Sequence, residues 1–394
     1  MKSGLYLGGW MKIRYLAILA AVLFVAGCVQ PQTQGFKFNR MTTENEAKKQ
    51  RAVVAKVNYD AQQRVYRVGA PILYGAVSMC KNKQGKDLGF NVWNRFLESE
   101  PKWSAALATA YGLDKELVIN VVAPGGPADR AGLKAGDEVT ALGQWNLPKG
   151  VNARSFYLEK LSALAKTRAR FVKVETLRKG KKKVSNIEWQ LVCDYAISAD
   201  MNSQNASIVN AYATGNKMVV TKGMLRFVDT DDELALVLSH EFAHNAMGHI
   251  KALEQNQNAG AAGGFVVDMM FAVLGVNTGG AFSEKGAAIG ANAYTLDFES
   301  EADYAGLYAM AMAGGNIEVA PDFWRKMAAE APGNIEMAVT HPTTPARALA
   351  LEKTIAEIKL KIKSGQPLTP NLKPKPPTNT PATPTAQQKN TDLN

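Results

Sequence analysis

Asp232-Glu233-Leu234-Ala235-Leu236-Val237-Leu238-Ser239-His240-Glu241-Phe242-Ala243-His244 is the stretch that decides how this chain is read. Leu234, Ala235, Val237 and Leu238 form an apolar stripe at helical spacing, and Asp231 and Asp232 stand where a helix N-terminus favours negative charge. The pattern predicts a helix over Asp232–Ile250. On it His240 and His244 are four apart and share a face. Both imidazoles can then reach one ion at about 2.0–2.1 Å. Glu241, beside the first of them, is placed to take a proton from water activated at that ion. The chain has only 4 histidines, so composition alone does not explain this motif.

A catalytic zinc takes three protein ligands and keeps one position open. His249 lies five residues past His244 and would point away from the ligand face of a continuous helix. The segment Phe298-Glu299-Ser300-Glu301-Ala302-Asp303-Tyr304-Ala305-Gly306-Leu307 offers carboxylates. Glu299 and Asp303 are four apart and share a face, whereas Glu301 points elsewhere. His341 precedes Pro342 and is therefore biased out of helix, into a loop.

Together, His240–His244, the Glu299/Asp303 pair and His341-Pro342 with Arg347 resemble the HtpX-like and CAAX-protease-like family of gluzincins. Asn210-Ala211-Tyr212 and Val219–Leu225 match the strand that precedes the zinc helix in that family. The resemblance covers about residues 205–350. It implies one zinc per chain, held by His240, His244 and Glu299, with Glu241 as general base. It also implies that Asp303 supports the site by bonding a zinc-bound His. His341 would face the metal, either stabilising the oxyanion or, alternatively, occupying the open position as a latch. A helix ahead of the strand is part of the same pattern. Residues 44–75 fit it: Val54, Val57, Ala61, Val65 and Val68 line one face, and Gly69-Ala70-Pro71 stops or bends it.

Residues 76–195 read differently. Val118–Val122 is a short β-branched run, followed by the turn residues Ala123-Pro124-Gly125-Gly126-Pro127. Ala128-Asp129-Arg130-Ala131-Gly132-Leu133-Lys134-Ala135-Gly136-Asp137-Glu138-Val139 then gives a short helix, a turn and a strand. Phe156, Leu158, Leu161 and Leu164 mark a helix, and Phe171–Leu177 and Val184–Val192 read as strands. This run resembles a PDZ domain, which implies peptide binding at Leu88, Gly89 and Phe90. Asp87 stands where that loop usually begins with Gly. The segment would be an insertion within the peptidase domain. Cys80 and Cys193 flank it, and in an oxidising compartment a disulfide between them would clamp its two ends. The basic hairpin at Arg178–Lys183 lacks interleaved aromatics, so no nucleic-acid partner is expected.

At the start, Lys12 and Arg14 precede the apolar run Leu16–Ala26, too short to span a bilayer and shaped as an export signal. It ends in Val25-Ala26-Gly27-Cys28, which resembles a bacterial lipobox. Residues 1–27 would be removed, Cys28 lipidated, and 28–43 left as a tether. Val29 after that Cys favours the periplasmic face of the outer membrane. Phe265–Leu274 reads as a core helix or a lid. The tail, 364–394, is rich in Pro and Thr and is expected to be disordered. The net charge of +11 suits acidic lipid or protein surfaces without choosing among them.

The expected fold is α+β: a mainly helical gluzincin peptidase domain (196–363, with 44–75) carrying a small sheet, plus an inserted β-rich PDZ-like domain. The expected activity is zinc-dependent endopeptidase action on envelope proteins, in quality control, on protein or peptide substrates bound in extended form along the strand at Lys217–Thr221. The alternative is a latent or non-hydrolytic, PDZ-containing, chaperone-like factor for outer-membrane proteins.

Overall fold

The computed structural model describes residues 33, 35–80, 82–256, 258–259, 295–330, 332 and 345–371. The export segment, Cys28, Phe265–Leu274, His341 and the tail beyond residue 371 lie outside them. Residues up to Gln50 and those from Arg51 onward are two compact units. Helix α1 (Arg40–Gly75) begins in the first, inside the stretch expected as a tether. Asn39 starts it: its Oδ1 accepts from the Thr42 amide at 2.8 Å. The elements below belong to the second unit.

The chain next forms β1 (Gln84–Asp87), β2 (Phe90–Trp93), α2 (Pro101–Tyr111), β3 (Val118–Val122), α3 (Pro127–Arg130), β4 (Glu138–Leu142), β5 (Trp145–Asn146), α4 (Ala153–Ala165), β6 (Phe171–Arg178), β7 (Lys181–Glu188) and β8 (Gln190–Cys193). An antiparallel sheet runs β2-β3-β4-β6-β7, with β5 on β4. Its inner face buries Phe90, Ile119, Leu142, Val172, Val174 and Ile187 against Leu133 and Tyr157. Between β6 and β7, Lys179 and Gly180 both adopt positive φ, 50° and 74°. That is the two-residue turn whose twist matches a hairpin. Asp137 is buried and accepts from Arg178 Nε and Nη2 at 2.6 and 2.7 Å. Burial alone would raise its pKa, but Arg178 and the Lys134 amide hold it below the usual value.

Val184–Val192, read as one strand, is two. The chain breaks at Trp189 and β8 leaves the main sheet to pair with β1, from Gln84↔Cys193 to Asp87↔Gln190. Beside that ladder Cys80 and Cys193 are joined by a disulfide, their Cα atoms 5.7 Å apart across a sequence separation of 113. The two ends of the insertion thus meet in a narrow neck.

Beyond the neck come β9 (Ala196–Asp200), β10 (Ala211–Ala213), β11 (Lys217–Thr221), α5 (Lys222–Phe227), α6 (Asp231–Ala246), α7 (Thr295–Met312), α8 (Ala320–Glu330) and α9 (Pro345–Lys363). The small sheet has the order β10-β11-β9. Val65, Ile72 and Leu73 of α1 share one core with Leu234, Leu238 and Phe242 of α6 and Leu307 and Tyr308 of α7. The helix before the insertion is therefore part of the fold after it. Gln62 exchanges two hydrogen bonds with the Ala199 backbone, at 2.7 and 3.0 Å. Arg64 Nε reaches Asp231 Oδ1 at 2.8 Å. A Cβ on Gly69 would stand 2.5 Å from Ile197 Cδ1 and 3.3 Å from Leu238 Cδ1, so α1 lies close enough here that a larger residue would push these side chains aside. This packing carries the helix through Pro71 to Gly75, the expected end of the segment. The start of the tail is also ordered: the Asn371 amide donates to the Tyr304 hydroxyl at 3.0 Å.

Candidate metal centre

Helix α6 is well capped. Thr230 Oγ1 accepts from the Glu233 amide at 3.1 Å, and the Glu233 carboxylate accepts from the Asp229 amide at 2.7 Å. Helix α7 crosses it at Gly306, where a Cβ would stand only 3.0 Å from the Ser239 carbonyl oxygen and 3.1 Å from the His240 nitrogen. That close crossing sets Glu299, on α7, opposite His240 and His244.

The three form one buried cluster. His240 Nε2 and His244 Nε2 are 3.1 Å apart. Glu299 places Oε2 3.3 Å from the first and Oε1 3.2 Å from the second. Two donors each about 2.0–2.1 Å from one tetrahedral ion stand about 3.3–3.4 Å apart. The residues therefore fit a small divalent cation without moving far, and the two-imidazole, one-carboxylate set suits zinc. Glu241 is buried next to them, 2% exposed.

The orientation of each imidazole has a cause. His240 Nδ1 lies 3.0 Å from Asp303 Oδ1. Asp303 in turn accepts from Arg347 Nε and Nη2 at 2.7 and 2.8 Å, and Arg347 Nη1 is 3.1 Å from Glu299 Oε2. Burial alone would raise the Asp303 carboxyl, but Arg347 and His240 hold it below the usual range. Burial also works against a charge on His240, yet Asp303 and Glu299 outweigh it and hold its pKa up at about 10. Two carboxylates that favour a proton this strongly favour a metal cation in its place. Arg347 also lies 4.3 Å over the ring of Trp324 in α8.

For His244 the sequence reading needs correcting. Helix α6 ends at Ala246, not Ile250, and Gly248 turns the chain with φ 76°. The turn swings His249 back, so its Nδ1 meets His244 Nδ1 at 3.0 Å, and its Nε2 lies 2.9 Å from Glu301 Oε2. Ligation through His244 Nε2 requires the proton on its Nδ1, which then donates to His249; the remaining His249 proton donates to Glu301. His249 does not point away, whereas Glu301 points away from the metal cluster, as expected, and is reached by His249. His249 stacks on Phe298 at 4.6 Å. Gly248 was the signal that the helical extrapolation passed over. Removing the imidazole in His249→Ala should weaken metal affinity about 10- to 100-fold, read by competition with a chelating dye; an unchanged affinity would reduce His249 to packing.

Asn245 was also missed. It clamps the β10–β11 hairpin to α6, accepting from the Gly215 amide at 2.6 Å and donating to the Lys217 carbonyl at 3.1 Å. That hairpin corrects a further expectation. Strand β11 is paired on both sides, so Lys217–Thr221 has no free edge to receive a substrate; among the described residues β10 is the edge strand near α6. Leu88, Gly89 and Phe90 lie in the separate core of the inserted domain, with Leu88 and Phe90 buried.

The profile of Peptidase family M48 matches residues 190–355. The chain is similar to the beta-barrel assembly-enhancing protease of Yersinia pestis, 29% identical over 154 residues, 36% of this chain and 32% of that one. The protein of that name from Escherichia coli (strain K12) is 28% identical over 156 residues, 36% of this chain and 31% of that one. The chain thus spans about a third of the length of these relatives. Among solved structures, the HtrA3 PDZ domain bound to a phage-derived ligand aligns over 28% of this chain and 88% of its own, at 16% identity and a TM-score of 0.21. The HtrA-type protease AlgW with a decapeptide aligns over 27% and 30%, at 25% identity and 0.21. Residues 190–355, which carry His240, Glu241, His244, Glu299 and Asp303, form a peptidase family M48 domain.

Proposed function

We propose that this chain is a zinc metalloendopeptidase of the bacterial cell envelope, acting on other envelope proteins in quality control. The observation that carries the reading is the buried His240/His244/Glu299 cluster at single-ion spacing with Glu241 beside it. When bound, zinc polarises a substrate carbonyl and makes water acidic near neutral pH. Glu241 accepts the proton and hands it to the leaving amine. Asp303 and His249 keep the two imidazoles in the ligating tautomer, and Arg347 holds Glu299 and Asp303 in place. Substrate binds in extended form, and the edge of β10 suits strand addition, which reads backbone rather than side chains. His341 supplies an oxyanion donor, as the family resemblance implies. Lipidation at Cys28 anchors the chain at the periplasmic face of the outer membrane. The start of the chain and the matched relatives' name support this setting.

Elemental analysis of the purified protein beside a casein assay tests the reading. About one zinc per chain is expected, lost in the His240→Ala/His244→Ala double variant together with casein hydrolysis. Glu299→Gln should weaken zinc more than Glu301→Gln. Full zinc retention by the double variant would remove the site, and casein hydrolysis that survives zinc loss would remove the activity.

A further inference from the structure

Among the described residues strand β2 is an edge of its sheet, paired on one side with β3. Its other side faces α4: Arg154 Nε donates to the Val92 carbonyl at 3.4 Å, and the Tyr157 ring sits 6.1 Å from Phe90. A channel between an edge strand and a helix is where an extended peptide adds to a sheet. Here α1 lies along it. Tyr59, Tyr66 and Tyr74 recur at steps of seven and eight, one stripe on a helix. Tyr59 meets Trp93 edge-on with centroids 5.5 Å apart, and its hydroxyl donates to Glu98 at 2.5 Å. Tyr74 donates to Asp87 Oδ2 at 2.6 Å. Its hydroxyl oxygen also lies 3.3 Å from where a Cβ on Gly89 would stand. Between them Tyr66 is half-buried, and that burial first, then the Asp87 charge, lifts its hydroxyl well above the ordinary phenol range; Tyr157 also acts on it. From Tyr59 to Tyr74 the helix rises about 22 Å. Strand β2 itself, Phe90 to Trp93, runs about 10 Å. The stripe spans this strand and the Leu88-Gly89 bend that joins it to Asp87.

We infer that α1 is the built-in occupant of the β2–α4 channel, so that an extended peptide docks there only by lifting the tyrosine stripe. Asp87 reinforces the closure: it accepts a phenol where a free chain terminus would meet a like charge. Tyr157, on the α4 side, is buried, and its hydroxyl has no hydrogen-bond partner among the described residues. Other positions of α1 bond β9 through Gln62 and the start of α6 through Arg64, and pack on Leu238 at Gly69. Whatever lifts α1 therefore disturbs the helix that carries His240 and His244. The inference rests on the placement of α1, not on the proposed activity.

The test uses the full chain and a fluorescein-labelled ten-residue peptide with an apolar, amidated end. Anisotropy reads binding, and hydrogen exchange reads the amides of residues 59–74. The wild type should show no saturable binding and slow exchange. Tyr66→Ala/Tyr74→Phe should bind the peptide at least about tenfold more tightly, because the open channel is more populated, and should exchange faster across 59–74. Unchanged zinc content shows that the variant is folded. Tyr74→Phe alone removes one hydroxyl and should shift exchange in the same direction by less. Equal affinity for wild type and variant, no binding by the folded double variant, or unchanged exchange in both variants would each overturn the inference.

Discussion

Glu241→Gln should lower the turnover number on casein by about 10²–10⁴-fold while the protein keeps its zinc. Gln preserves the shape of the side chain and its place on α6 but cannot accept a proton. None of the three candidate ligands is touched, so elemental analysis should give the wild-type stoichiometry. The site around Glu241 is enclosed: His240 and His244 are 4% and 5% exposed, and Glu299 and Asp303 are 3% and 5% exposed. No bulk base stands ready to replace the carboxylate there. A variant that turns over at the wild-type rate would assign the proton transfer to another group. A variant that loses zinc as well would show that Glu241 holds the site together instead.

Opening the Cys80–Cys193 bond is expected to have the largest effect on stability. The bond closes a loop of 113 residues, and on the chain-entropy account a loop of that size contributes about 4–5 kcal/mol. The double variant Cys80→Ser/Cys193→Ser should therefore unfold at a clearly lower denaturant concentration, with a loss of roughly that size. The β1–β8 ladder and the α1 contacts remain, so the native fold should survive at room temperature. Equilibrium denaturation of the oxidised protein and of the double variant measures the difference. A loss below about 1 kcal/mol would mean that the unfolded chain keeps these ends together without the bond.

The centre was legible where its chemistry lies within one helical turn. His240, Glu241 and His244 follow from their spacing on one helix; spacing four put Glu299 and Asp303 on one face of the next, and the family resemblance implied their roles. The same rule misplaced His249, because a single left-handed residue, Gly248, ends the periodicity that the rule assumes. The inserted domain was legible from its turns: Pro127, Gly132 and the Lys179-Gly180 hairpin fall where glycine and proline demand. The split of Val184–Val192 was not, since both strands are β-prone and only pairing with β1 separates them. The edge of the small sheet was misjudged for a related reason. Sequence shows that Lys217–Thr221 is a strand, but not that β9 and β10 flank it. The role of Arg347 is equally non-local, set by α9 docking on α7.

The neck also bears on how the chain reaches its fold. Arg64 and Asp231 are 167 residues apart in sequence, and α1 is synthesised long before α6 exists to receive it. Contacts of such span fold slowly, because a long loop must close before any packing rewards it. Once Cys80 and Cys193 are joined, the path runs from Arg64 to Cys80, across the bridge, and from Cys193 to Asp231, roughly a third of the original length. Oxidation at the neck would thus act as a kinetic shortcut. A chain kept reduced until late in refolding should recover its metal centre more slowly than one oxidised at the outset.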